Sequence, residues 1–438
     1  MIPGRIFASF ALAVPLFAQY AGPAILSRGD APTGIQSAPV TFRPFFEIAA
    51  IYDTGLTGVG AASQGELGGA ASEGVQFSGG ISGNHSWRHT SIGLNYRGDI
   101  NHFAKDTNYD NSDQSLFLSV RHQFSRHVYL NLRESAGMLS TAGSIYGLQE
   151  AIAYDPAQST LPTTDFFDNR TVYLSSQADV LYQRTAKLSF DFGGDAFLNR
   201  HRSTDLDGVT GLGARGDMQY RISRRSTIGA NYSFTNYRYT RFLSGTFIHT
   251  FSGTFAYQLS RRLEFTVYGG VSHVDSKIEE VVAVNPAIAA ILGITAGLVV
   301  SHTITTVPSG SGRISETFHG GVLYAGGGHT VTPGNGLFNT SITTNASAGY
   351  TYTGVRRWSL AATANYSNSN AVGIASAKYG LTSGALTATR QIAKTMHMIL
   401  AININRYSSP QYALYNRTEY SAKVGFGWTP GDVPLRVW

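Results

Sequence analysis

The sequence has no cysteine, few charged residues and no series of long apolar runs. Of its 438 residues, 14% are charged, whereas soluble proteins average about 25%. This shortage argues against the surface of a typical soluble multidomain protein. A mean hydropathy of −0.08 excludes a helical protein that crosses a membrane several times. The absence of cysteine excludes disulfides and thiol chemistry within the chain.

The residues that are abundant favour a large β-structure. The chain has 49 glycines, and 42% of its residues are hydrophobic. Glycine disfavours a helical core, and this hydrophobic content with a net charge of +6 argues against disorder. The apolar residues are diluted evenly among small polar ones. This composition predicts one large architecture in preference to two or three soluble domains.

The first residues predict an export signal. Arg5 precedes an apolar run from Ile6 to Ala18, so residues 1–18 read as a secretory signal peptide. The alternative is a short membrane anchor, for which the run is too short. Residues 19–44, rich in alanine, proline, glycine and serine, read as an N-terminal leader.

From about residue 45 the dominant pattern is an alternation of apolar and polar residues. Leu116, Leu118 and Val120, for example, point to one side of a strand, opposite to the intervening Phe117, Ser119 and Arg121. Such segments are longer than the roughly 5–6 residues typical of globular strands. Alternating segments of about ten residues are what a tilted strand needs to cross a bilayer.

The turns between these segments are of two kinds that alternate along the chain. Short basic turns are predicted at 87–89, 125–127, 183–184, 223–225, 260–262, 313–315, 355–357 and 393–394. Longer polar loops are predicted at 55–73, 103–113, 140–169, 200–207, 240–245, 276–297, 332–338, 369–378 and 407–415. This asymmetry predicts an all-β, antiparallel, up-and-down transmembrane β-barrel of 18 strands, with 16 as the alternative count. A β-propeller has units of similar length, but its blades hold four short strands rather than two long ones.

The pattern resembles the bacterial outer-membrane β-barrel class, porin-like proteins included. The resemblance covers residues 45–438 and implies a barrel over that range, a periplasmic leader at 19–44 and a location in the bacterial outer membrane. Members of this class end in an aromatic residue that the barrel assembly machinery reads, and this chain ends in Trp438. Residues 429–432 interrupt the last strand, so Trp428 and Trp438 both remain candidates for this signal.

Alternation also predicts which residues face the lumen. Apolar positions such as Ile92, Leu94 and Tyr96 must face lipid, and aromatic residues before the basic turns, such as Tyr182 and Tyr220, suit an interfacial girdle. The opposite face carries the charged residues that are candidates for lining a pore: Arg97, Asp99, Arg121, Arg133, Asp179, Asp191, Asp195, Arg215 and Asp217. They predict either a basic sector beside an acidic one, which would bias solute entry, or charges paired across neighbouring strands.

Two loops are candidates for narrowing the opening, 140–169 and 276–297. In the second, Asn285-Pro286 precedes a segment, 287–294, that is a candidate helix. The apolar run 281–300 is alternatively a transmembrane helix, against which its proline and glycines argue.

Motifs associated with other chemistry do not have the required context. Residues 211–216 match G-x-G-x-x-G, but they alternate as a strand and are not followed by a helix. The twelve histidines form no cluster with carboxylates at metal-ligand spacing. No local signature selects a catalytic pair, and basic residues are not gathered on an aromatic face, as nucleic-acid binding would require.

These observations predict a porin-like channel for passive diffusion of small hydrophilic solutes. No catalytic site, cofactor, metal or nucleic-acid partner is expected. The expected partners are outer-membrane lipid, the barrel assembly machinery and small polar solutes. The alternatives are a non-conducting barrel with a structural or partner-binding role and, behind it, a barrel enzyme.

Overall fold

The structure is a computed structural model. It describes residues 41–56, 70–105, 109–139, 171–201, 207–240, 244–283, 296–334, 339–373, 378–410, 416–429 and 433–434. The predicted signal peptide, almost all of the leader, the loop at 140–169 and Trp438 lie outside these residues.

The described chain consists almost entirely of long antiparallel strands. Those of the first half are β1 Thr41–Leu56, β2 Ala70–Ser86, β3 Thr90–Phe103, β4 Asn111–Gln123, β5 Val128–Leu139, β6 Thr171–Gln183, β7 Leu188–His201, β8 Val209–Arg221 and β9 Ser226–Tyr239. Those of the second half are β10 Gly245–Gln258, β11 Leu263–Ala283, β12 Ala296–Phe318, β13 Gly321–Thr332, β14 Ser341–Tyr352, β15 Trp358–Ala371, β16 Lys378–Gln391, β17 Met396–Ser408 and β18 Arg417–Trp428.

The sheet closes on itself because β1 pairs with both its neighbour in sequence, β2, and the last long strand, β18. Each strand from β2 to β17 pairs with the strands before and after it in sequence. A two-residue strand, β19 Val433–Pro434, pairs with the first residues of β1. The predicted up-and-down barrel of 18 strands is therefore confirmed, with its first strand beginning at Thr41.

The alternation in the sequence divides the wall into an apolar outer face and a polar inner face. Large apolar side chains are exposed on the outer face, for example Ile100 at 62% and Phe251 at 63%. Water would not tolerate such a continuous exposed apolar band, whereas the hydrocarbon of a bilayer requires it. The outer residues include the predicted Tyr96, together with Val172, Leu174, Val180, Leu360 and Tyr366.

The two ends of the barrel differ as predicted. Eight short turns lie at one end, the short-turn end, together with the start of β1 and the end of β18. The strand ends that the nine longer connections join lie at the other, the long-loop end. Exposed aromatic residues close to the short turns, including Phe124, Tyr182 and Tyr220, are placed as an interfacial girdle.

The prediction of a turn at 313–315 is wrong. Those residues lie within β12, and the turn is formed by His319 and Gly320, with Gly320 at a φ of +82°. Glycine and serine at 309–312 imitate a turn in the sequence. Cross-strand pairing of β12 with both β11 and β13 nevertheless keeps them extended.

The prediction of a loop across 276–297 is also wrong at its two ends. Residues 276–283 belong to β11 and residues 296–297 to β12, which makes this the longest hairpin described, with strands of 21 and 23 residues. Residues 284–295, including the candidate helix, lie outside the described part. In that described part, no helix has the length and hydrophobicity to span a bilayer. The ends of the run 281–300 are strand, against the alternative of a transmembrane helix.

Candidate functional site

All nine candidate pore-lining side chains lie on the inner face of the wall. Each has an odd number on β3–β8, where the even-numbered positions carry the exposed apolar side chains. Arg97 and Asp99 lie on β3, Arg121 on β4, Arg133 on β5, Asp179 on β6, Asp191 and Asp195 on β7, and Arg215 and Asp217 on β8. Their role in selecting solutes remains a prediction.

Five of the nine form one cluster on β6–β8, here called the acidic cluster: Asp179, Asp191, Asp195, Arg215 and Asp217. Its centre is an ion pair between the Arg215 guanidinium and the Asp179 carboxylate. Asp191 lies directly opposite Asp217 in the pairing of β7 with β8. Asp217 accepts a hydrogen bond of 2.6 Å from the side-chain amide of Asn231 on β9. One cation is therefore surrounded by four carboxylates.

A glycine makes the central ion pair possible. Asp179 and Arg215 lie on β6 and β8, and the residue between them on β7 is Gly193. A Cβ at residue 193 would lie 2.3 Å from Asp179 Oδ1 and 2.7 Å from Arg215 Nε. Because Gly193 has no side chain, the carboxylate of Asp179 and the guanidinium of Arg215 can meet across β7.

A second cluster, the seam cluster, joins the strands that close the barrel. Lys423 on β18 forms an ion pair with Glu47 on β1, and both side chains are buried. Arg97 donates to Asp99 with Nε–O distances of 3.0 and 3.1 Å, and its Nη2 lies 3.6 Å from Glu47 Oε2. Arg97 also donates to Ser78 at 3.3 Å. Two cations and two carboxylates balance one another here.

The other predicted arginines are held by different contacts. The Arg121 guanidinium lies 5.5 Å from the ring centre of Tyr129, which is buried against Leu181 on the next strand. Arg133 donates a hydrogen bond of 3.1 Å to Gln177 on β6. Arg313, which was not predicted, lies 5.3 Å from the ring centre of Tyr324. Cation–π contacts hold such guanidinium groups against the wall.

The inner wall therefore combines the two predicted arrangements of charge, paired charges in one part and an acidic sector in another. Arg97 is paired with carboxylates, as the alternative of paired charges predicted, whereas the β6–β8 wall keeps an excess of carboxylates. Glu47 and Lys423 were missed because their partnership exists only once β1 meets β18. The available signal was their place between outward apolar residues, such as Ala422 and Val424 on either side of Lys423.

The mouth at the long-loop end is narrowed by a hairpin that no prediction identified. Pairing of β12 with β13 stops at Gly310 and His329, so the ends of β13 and β14 at the long-loop end fold inward, with β14 still paired to β15. There Val331 and Ile342 pack against a buried cluster on the inner faces of β7–β11. That cluster consists of Phe197, Val209, Tyr237, Tyr239, Ile248 and Val274, joined by Val372.

Hydrogen bonds fix this inward-folded hairpin to the opposite strands. The Tyr239 hydroxyl donates to the Pro333 carbonyl at 3.2 Å and is hydrogen-bonded to the Thr340 hydroxyl at 2.9 Å. Thr340 is also hydrogen-bonded to Thr246 on β10 at 2.5 Å, and its carbonyl accepts from the Val372 amide at 2.9 Å. These partners are buried, so the hairpin is a fixed part of the mouth.

Metal-binding side chains do not converge in the described residues, which contain no group of three or more His, Cys, Asp or Glu suited to hold an ion. The G-x-G-x-x-G residues 211–216 lie within β8, as expected for a strand.

No protein-family model matches this chain, and no curated protein matches it significantly. Among solved structures it is similar to the copper transporter OprC, at 11% identity and a TM-score of 0.43 over 90% of this chain and 68% of that one. It is also similar to a BenF-like porin from Pseudomonas fluorescens Pf-5, at 9% identity and a TM-score of 0.41 over 90% of this chain and 98% of that one. OccK5 (OpdH) from Pseudomonas aeruginosa is similar at 11% identity and a TM-score of 0.41, over 91% of this chain and 99% of that one. The pairing and faces of this chain's own strands define a closed transmembrane β-barrel.

Proposed function

We propose that this protein is an outer-membrane channel for the passive diffusion of small hydrophilic solutes. The observation that carries the proposal is the division of the wall, with lipid-compatible side chains outside and charged and polar side chains inside. Charged groups are costly in a dry interior, so a wall lined by both clusters suits a lumen that holds water and polar solutes. The proposal includes no catalytic step and no cofactor.

The proposed orientation follows from the two ends of the barrel. Outer-membrane barrels have short turns on the periplasmic side and long loops outside the cell. The short-turn end would then face the periplasm, and the inward-folded hairpin would lie at the extracellular mouth. Export by residues 1–18, a periplasmic leader and recognition by the barrel assembly machinery belong to the same proposal. Trp428, exposed at the end of β18 and stacked on Phe46 at 6.0 Å, is the described candidate for that recognition.

Planar lipid bilayers test the proposal directly. Purified, folded protein is expected to insert in discrete conductance steps in potassium chloride. Liposomes containing the protein are expected to swell in small sugars and amino acids and not in large oligosaccharides. Absence of steps at every voltage and salt concentration would overturn the channel function.

The inward-folded hairpin is the observation that favours the second candidate, a non-conducting barrel. Its contacts with β9 and β10 are hydrogen-bonded and buried. A non-conducting barrel would insert and give no current, but it would conduct once those contacts were removed. Conductance of the unaltered protein separates the two functions.

A further inference from the structure

The acidic cluster has more negative than positive charge on a single part of the inner wall. Arg215 pairs with Asp179, and the carboxylates of Asp191, Asp195 and Asp217 lie on either side of Arg215 along β7 and β8. The next cation, Arg133, lies two strands from β7 and donates to Gln177. The seam cluster, by contrast, has equal numbers of cations and carboxylates.

Within this arrangement, Asp191 and Asp217 have the strongest need for a nearby hydrogen-bond donor or cation. They are directly opposed across β7 and β8, and like charges in that relationship repel each other. Asp217 accepts a hydrogen bond from Asn231, but Asp191 is only 7% exposed and its Oδ1 atom has no hydrogen-bond partner in the described structure. A buried carboxylate oxygen is costly unless a donor or a cation satisfies it.

Arg215 and Arg133 are the described cations whose charge reaches Asp191, but Arg215 is ion-paired with Asp179 and Arg133 is hydrogen-bonded to Gln177. In the register of β8 with β9, Asp217 lies opposite Asn231, which is neutral. Four residues further along β7, Asp195 lies opposite Gly213, where a Cβ would lie 2.3 Å from Asp195 Oδ1. Gly213 therefore leaves room for the third carboxylate to turn toward the same part of the lumen.

We propose that Asp191 and Asp217, with Asp195 beside them, bind the cationic group of a permeating solute, an ammonium or a guanidinium. The inference rests on the proposed channel function and names its preferred solutes: small organic cations. Such groups bring several N–H donors as well as charge, which suits carboxylates with unused acceptors. The described residues offer no three-ligand set for a metal ion, so hydrogen-bonding cations fit better than coordinated metals.

The test measures ion selectivity and block in planar bilayers. Under a potassium chloride gradient, the unaltered protein is expected to be cation-selective. Arginine ethyl ester, a cation, is expected to block the current at lower concentration than glutamate, an anion. In the D191N/D217N variant, the reversal potential should move toward zero as the preference for potassium over chloride is lost. The concentration of arginine ethyl ester that gives half-block should rise about tenfold.

Two further variants separate a specific site from a general change. D191E/D217E keeps both charges and is expected to stay cation-selective. Glu316→Gln removes a carboxylate from the outer face near the short-turn end and is expected to change nothing, because Glu316 pairs with the outward Leu263 and Leu323. Normal conductance steps from each variant would establish that it folds.

The outcomes distinguish the inference from the function on which it rests. Normal conductance without cation selectivity, or with selectivity and block unchanged in D191N/D217N, would overturn the cation site and leave the channel intact. Absence of conductance from the unaltered protein would overturn the channel function and the site with it.

Discussion

The guanidinium of Arg215 contacts the carboxylate of Asp179 across an intervening strand, because the residue between them is Gly193. Both side chains have little exposure to the lumen, at 13% and 3%. An ion pair so protected from water loses much if one partner is displaced. The glycine is thus as necessary to the cluster as the two charges.

We predict that Gly193→Ala separates this ion pair, because the added Cβ would overlap both partners. The free energy of unfolding is expected to fall by about 1–3 kcal/mol. Urea unfolding in lipid vesicles, followed by tryptophan fluorescence, measures the change. Gly269→Ala is the matched control, since a Cβ there would meet nothing within 4 Å. Equal stability of the two variants would show that the pair contributes nothing to the wall.

The ion pair between Glu47 and Lys423 predicts a coupling across the closing seam. Lys423→Met leaves a buried carboxylate without its main partner and is expected to destabilise the barrel by about 3 kcal/mol. The double variant E47Q/K423M removes both charges and is expected to recover most of that loss. Denaturant unfolding of the two single variants and the double variant gives the coupling energy. Additive losses would contradict the pairing.

Much of the fold follows from local sequence patterns that the folded structure retains. Alternation specifies which residues face lipid, and turn asymmetry specifies how the strands connect, so the strand count was predictable from the sequence. The turn at 319–320 was not, because the glycines and serines at 309–312 resemble a turn more closely than His319-Gly320 does. Only the pairing partners on both sides keep that segment extended.

The arrangement inside the lumen depends on contacts between residues far apart in sequence. Glu47 meets Lys423 only through closure, and Tyr239 meets Thr340 only because the long-loop ends of β13 and β14 fold inward. Near the short-turn end of β13 the odd-numbered positions face lipid, as Leu323 does, whereas Val331 at the other end packs inside the barrel. The same alternation thus gives opposite environments on one strand, which no local pattern can indicate.

Glu134 predicts a stability effect of the opposite sign. It is on the outward face of β5, seventh of 12 residues, and accepts a hydrogen bond from Ser176 on β6. A charge on the lipid face is least favourable at mid-depth. Glu134→Leu is therefore expected to raise the free energy of unfolding in vesicles by about 1 kcal/mol, while Glu316→Leu near the short-turn end changes it less. A marked loss of stability in Glu134→Leu would instead indicate that the carboxyl contributes more through Ser176 than burial in lipid costs.

The contact between Thr246 and Thr340 predicts that the mouth can be locked. Their hydroxyl oxygens lie 2.5 Å apart, so cysteines at both positions suit a disulfide, and the native chain has no cysteine to interfere. In oxidised T246C/T340C the hairpin stays against the wall, and single-channel current is expected to show fewer fluctuations than after reduction. The single variant T246C is the control, because it cannot form the bond within one chain.

Release of the same hairpin should have the complementary effect. Tyr239→Phe with Thr340→Ala removes the hydroxyls that bond the hairpin to β9 and β10 and is expected to weaken its attachment by about 1–3 kcal/mol. A loosened hairpin leaves the mouth wider on average, so the mean conductance should exceed that of the unaltered protein. If the locked and released proteins conduct alike, the limiting constriction lies elsewhere in the lumen and the hairpin serves only to brace the wall.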